Sequence, residues 1–209
     1  MFIDDLNKKF KKDEPIFIED ILEALNEYSR ATIFRNIAKA KENEELKQYS
    51  KGVYYLPTKT ILNKTSSLSS YSVIKKRYLT DDNNSICGIF SGLKLLNDFN
   101  ITTQVPNVIE IVTNNESSRK RVITISGTKY ILRKSRIQIT NENYNAYTVL
   151  ELLNGLASDE GLNEDSKESL SNYINKTQLT RDELLDMATY FPNKAGRKLR
   201  ESGVLNEIR

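Results

Sequence analysis

Apolar residues recur at helical spacing from the start of the chain: Phe2, Ile3, Leu6 and Phe10 fall on one face. Pro15 interrupts that pattern, and Ile16-Phe17 reads as a short extended piece. Ile18, Ile21, Leu22 and Leu25 then mark a second short helix. Asn26 to Tyr28 reads as a turn, and Ser29 is a good N-cap for a third helix running from Arg30 to about Glu45. The apolar positions of that helix are Ile33, Phe34, Ile37, Ala38 and Ala40, with Phe34 and Ala38 placed beside the core-facing residues. Leu46 to Tyr49 and Val53 to Pro57 are β-prone runs around Ser50-Lys51-Gly52, a hairpin signal.

Helix, helix, turn, helix, hairpin is the order of a winged helix-turn-helix, which the pattern predicts for residues 1–57. A Ser-, Thr- and Asn-rich stretch follows and reads as a linker over 58–72. The rest, 73–209, reads as an α+β domain with mixed α/β elements. Ser70 to Leu79 and Ile89 to Phe99 are expected as helices, and Val108 to Thr113 as a strand. Arg121 to Ser126 and Lys129 to Arg133 form a second hairpin around Gly127-Thr128. From about residue 143 to 209 the pattern is helical, with helices expected over 143–157, 163–175, 180–190 and 194–202. The fold class is therefore α+β, ending in a helical C-terminal segment.

Composition narrows the chemistry. The 209 residues include no His, no Trp and one Cys. That excludes histidine general bases and Ser-His-Asp or Cys-His arrangements, and leaves too few ligands for a zinc site. No cofactor or metal is expected, and no enzymatic activity. No stretch is long and apolar enough to span a membrane, so the default location is the cytoplasm. The net charge of +3 is unevenly spread. Residues 58–140 hold 13 basic against 5 acidic residues. Residues 1–57 hold 10 against 11, and residues 141–209 hold 8 against 12. A basic middle suggests a local anion-binding surface, with Lys75, Lys76, Arg77, Arg119, Lys120, Arg121, Arg133, Lys134 and Arg136 as its candidates. A second cluster, Lys194 to Arg200, could pack onto the core, make a dimer contact or touch nucleic acid, with packing the default and the sequence not choosing among them. Cys87 reads as a small core residue, and the tyrosines at 49, 54 and 55 as hairpin packing.

The third helix carries the sharpest functional signal. Its polar side holds Arg30, Thr32, Arg35, Asn36, Lys39 and Asn43, residue types that pair with base edges and phosphates. The basic residues lie in the N-terminal part, the half that enters the major groove in a helix-turn-helix, while Glu42, Glu44 and Glu45 close the other end. Lys47 and Lys51 on the hairpin suit contacts to the DNA backbone by a wing. The expected ligand is double-stranded operator DNA, with a homodimer on DNA as one way to gain affinity.

Two stretches, Tyr28-Ser29-Arg30-Ala31-Thr32-Ile33 and Lys51-Gly52-Val53-Tyr54-Tyr55-Leu56-Pro57, resemble the N-terminal winged helix of AbiEi-type antitoxins. Ser91 to Asn97, Thr102-Thr103-Gln104-Val105-Pro106-Asn107 and Ile109 to Thr113 are similar to that family's second domain, as is Thr140-Asn141-Glu142-Asn143 before a helix. The resemblance covers about residues 1 to 157 and departs from the family pattern at Asp98-Phe99-Asn100, where a more apolar or Gly-containing turn is usual. It implies a bacterial type IV antitoxin and autorepressor. Its functional partner would be a nucleotidyltransferase-like toxin that it counters without a stable complex. Two other readings stand beside it: a transcriptional regulator whose second domain senses a ligand or dimerises, and a metal-dependent nuclease using Asp98 and Glu110.

Overall fold

The computed structural model describes residues 2–58, 65–157, 161–206 and 208. The chain is a mixed α and β protein that divides into two compact units, Met1–Lys76 and Arg77–Arg209. No helix among the described residues is long and apolar enough to cross a membrane.

The first unit begins with helix α1 (Phe2–Lys9), strand β1 (Ile16–Phe17) and helix α2 (Ile18–Ala24). Helix α3 (Arg30–Glu42) follows, then strands β2 (Lys47–Ser50) and β3 (Val53–Tyr55). Ser29 caps α3 as the sequence predicts: its Oγ accepts a hydrogen bond from the Thr32 amide at 3.2 Å. Ser29→Ala is expected to cost the first unit about 1 kcal/mol, read as a lower urea midpoint at unchanged slope. The helix stops at Glu42, short of the expected Glu45, because Glu44 turns left-handed (φ 57°) and the Glu45 and Leu46 amides fold back onto the Ala40 carbonyl.

The strands form an antiparallel sheet of order β1-β3-β2, with Ile16 opposite Tyr54 and Lys47 opposite Tyr55. Between β2 and β3 the chain turns through Gly52, whose φ of +76° favours a residue without Cβ and whose carbonyl accepts from the Ile18 amide. Leu6, Ile16, Ile21, Leu25, Ile33, Ile37, Leu46 and Leu56 join in one core that binds the helices to the sheet.

The expected linker, 58–72, is described only in part. Residues 59–64 lie outside the described residues, but 65–69 are held on the first unit. The Asp13 carboxylate accepts from the Thr58 amide at 3.1 Å and from the Thr58 and Ser66 hydroxyls. Tyr55 donates to the Ser66 carbonyl at 3.0 Å, and Leu68 is buried. Helix α4 (Ser70–Ile74) is followed by a π-helical stretch, Lys75–Leu79, inside which the two units divide.

The second unit is built on strands β4 (Gly88–Ser91), β5 (Val108–Thr113), β6 (Arg121–Ile125) and β7 (Thr128–Lys134). Their order is β4-β5-β7-β6; β5 and β7 are parallel and the other pairs antiparallel. β6 and β7 meet at a two-residue turn, Ser126-Gly127, both at positive φ, which suits the twist of a hairpin. Residues 89–99 are not one helix: Gly88–Ser91 is an edge strand, and only Gly92–Asp98 is helical (α5). A Cβ on Gly88 would stand 2.1 Å from the Tyr78 carbonyl oxygen, so the strand can lie there only because residue 88 has none. Helix α6 (Tyr144–Gly155) packs against β4 and α5 on one side and against α7 (Glu164–Thr177), α8 (Arg181–Ala188) and α9 (Asn193–Glu201) on the other. Being covered all round, it buries Ala146 to Leu153 without a polar stripe.

Candidate nucleic-acid interface

Helix α3 is fixed by Ile33, Ile37 and Ala40, which enter the core of the first unit. What remains outside is set by the 100° step per residue. Arg30, Arg35 and Lys39 are exposed, and Thr32 and Asn36 are half-buried at the flanks. The side chains of Arg35, Asn36 and Lys39 make no hydrogen bond or ion pair with any described residue, nor does that of Lys51 at the exposed hairpin turn. Thr32 is less available, since its hydroxyl lies 2.8 Å from that of Ser29.

Two expected contacts need correction. Lys47 is half-buried, and its ammonium donates to Thr65, because the 65–69 segment folds back along the sheet; it does not stand free on the hairpin. Phe34 and Ala38 do not sit beside the core. Phe34 is 42% exposed, Ala38 is exposed too, and the Arg30 guanidinium lies over the Phe34 ring at 5.8 Å. Lys41 instead braces the helix end, donating to Gln48 of β2 at 2.5 Å.

Several members of the expected basic surface of the middle segment are engaged within their own unit. Lys75 and Lys76 belong to the first unit, where Lys76 pairs with Asp20 at 2.9 Å and donates to the Pro15 carbonyl. Arg77 and the remaining candidates lie in the second unit. There Arg121 Nε is 2.7 Å from the Glu116 carboxylate. Burial acts to raise the Glu116 pKa, but hydrogen bonds from Ser118 and Arg121 outweigh it and hold the group below the usual glutamate range. Arg136 lies over the Phe191 ring at 5.2 Å. Arg119, Lys120 and Lys134 are exposed. In the Lys194–Arg200 cluster Lys198 is buried, and Arg197 lies 3.6 Å from Glu201.

Arg133 is the largest departure from a basic surface. The sheet brings it to Ser91, Glu110 and Glu151. Arg133 Nη2 donates to Ser91 Oγ at 2.6 Å and to Glu151 Oε1 at 2.7 Å, and lies 3.3 Å from Glu110. Ser91 donates to the same Glu151 oxygen at 2.6 Å. Ser91 and Glu151 are 1% and 3% exposed and anchor this polar knot in the interior, while the Arg133 and Glu110 side chains are 29% and 34% exposed. The one sequence signal for it is a carboxylate set inside Val149-Leu150-Glu151-Leu152-Leu153.

The nuclease candidates are engaged by cations: Asp98 pairs with Lys94 and Glu110 with Arg133. No group of three His, Cys, Asp or Glu that could hold a metal ion occurs among the described residues. Cys87 is buried, which pushes its thiol pKa up. Tyr54 and Tyr55 are buried in the first unit, a packing role rather than an open stacking platform. No family model matches the chain, and no curated protein matches it.

Proposed function

We propose that the first unit is a winged helix-turn-helix that binds double-stranded DNA. In this reading α3 lies in the major groove, and the β2–β3 hairpin is the wing, with Lys51 at the backbone. The observation that carries the reading is the set of side chains Arg35, Asn36 and Lys39 outside the core face of one helix, with no partner among the described residues, together with an exposed lysine at the hairpin turn. Charge supports it. With the 58–76 segment included, the first unit holds 14 basic residues against 11 acidic ones, so it does not repel the duplex as 1–57 alone would.

The wider reading is a type IV antitoxin that represses its own operon through this unit and counters a nucleotidyltransferase-like toxin through the second. It rests on the similarity of the quoted motifs to AbiEi-type antitoxins.

The test is anisotropy with a duplex from the promoter region of the chain's own gene, at about 0.15 M salt. Arg35→Ala with Lys39→Ala is expected to weaken binding at least about thirtyfold and to flatten the salt dependence. Unchanged affinity sinks the α3 interface. For the wider reading, a chain lacking residues 1–76 is expected to lose repression and still rescue cells expressing the toxin. Loss of rescue would overturn that division of roles.

A further inference from the structure

We infer that the exposed apolar strip of α3, Ala31, Phe34 and Ala38, reads thymine C5-methyl groups in the major groove, which makes Phe34 a specificity-determining residue. This rests on the DNA-binding reading above and goes beyond it by naming the base feature recognised.

The three residues stand at i, i+3 and i+7, so they form one stripe about 10 Å long on the helix. That stripe points away from Ile33, Ile37 and Ala40, the residues that hold α3 in the core. All three are exposed, and Phe34 shows 42% of its surface. The uncovered part of the ring is therefore available to a ligand. Ala31 and Ala38 present only methyl groups on either side of it, which lets the helix approach a surface closely. Glu42 ends the stripe one turn beyond Ala38.

What the strip fits is set by its borders. Arg30 stacks on one side of the Phe34 ring, and Arg35 and Lys39 run beside it with no partner among the described residues. An apolar protein partner would have to desolvate these cations without compensation. The major groove of DNA offers the matching pattern: anionic phosphates at its walls and, on its floor, one apolar group, the thymine methyl. Ala and Phe are residue types that contact it. The sequence alone hides this, because the apolar run Ile33-Phe34 and Ile37-Ala38 does not say which member of each pair faces out.

The experiment uses the full chain and a pool of 30-base-pair duplexes randomised at the centre. Bound duplexes are selected and sequenced, and the best one is remade with uracil in place of thymine, which removes only the methyl. The expected result is a thymine-bearing consensus and about fourfold weaker binding per contacted methyl lost. Phe34→Ala is expected to shrink the difference between the thymine and uracil duplexes, leaving the smaller contribution of the alanine methyl groups. Phe34→Leu, which restores an apolar contact, should recover some of the discrimination.

Equal affinity of the wild type for thymine and uracil duplexes overturns the inference and leaves DNA binding standing. Discrimination undiminished in Phe34→Ala overturns the role of that ring. If sedimentation shows Phe34→Ala turning a dimer into a monomer with no methyl preference in either, the strip is a contact between copies. Failure to select any duplex sinks the DNA-binding reading itself. The uracil arm needs no protein variant, so it is immune to a folding defect.

Discussion

Arg133→Met is expected to destabilise the second unit by about 3 to 5 kcal/mol, visible as a large drop in the urea midpoint. The cause is the group left behind. Glu151 is 3% exposed on a helix covered on all sides, and without Arg133 the Ser91 hydroxyl is its one hydrogen-bond partner left among the described residues. A buried carboxylate without its cation carries most of the desolvation cost uncompensated. The knot is not an optimised one either. Arg133 Nε is buried with no hydrogen-bond partner among the described residues. Removing both charges should therefore recover much of the loss: Arg133→Met with Glu151→Leu is expected to unfold closer to the wild type than Arg133→Met alone. A double variant as unstable as the single one would show that the loss comes from packing rather than from the stranded carboxylate.

The second large effect is alkaline. Burial raises the phenols of Tyr147 and Tyr173 to about 12. An unfolded tyrosine releases its proton near 10, so between about pH 10 and 12 the unfolded chain holds fewer protons than the folded one. The stability that these neutral phenols provide is complete below pH 10 and is lost as the pH rises through that window. For Tyr147, 0% exposed beneath the C-terminal helices, the loss amounts to about 2 to 3 kcal/mol. Its ring meets Phe191 edge-on at 5.0 Å, and its oxygen accepts from the Arg136 amide at 3.0 Å, so ionisation places charge where the helices close over the sheet. The midpoint of urea unfolding should fall steeply from pH 10 to 12 in the wild type. The fall should be shallower in the Tyr147→Phe, Tyr173→Phe double variant, although that variant starts lower at pH 8 for lack of the hydroxyl contacts. Parallel curves would refute the assignment.

Local patterns were legible where a single face decides the outcome. Ser29 as a cap, the Gly52 turn and the helices of the C-terminal segment all follow from spacing within a few residues. Gly88–Ser91 did not, because Ile89-Phe90 ahead of Leu93, Leu95 and Leu96 fits a helix equally well. The deciding fact is the Tyr78 carbonyl against Gly88, ten residues away. In the basic middle segment the pairing of individual cations was hidden for a similar reason. A charge count cannot tell that Arg121 answers Glu116, or that Arg133 on β7 answers Glu151 on α6. In α3 the exposed cations were readable from periodicity, whereas the outward turn of Phe34 depends on which of two adjacent apolar residues the core selects.

The Asp13 carboxylate, holding both Thr58 and Ser66, has a practical meaning for any dissection of the chain. A fragment cut after Pro57 strips Asp13 of those donors and uncovers the surface under Leu68. Such a fragment would test a damaged module rather than an independent one. A division between Lys76 and Arg77 instead follows the boundary of the two compact units and keeps the Asp13 contacts whole.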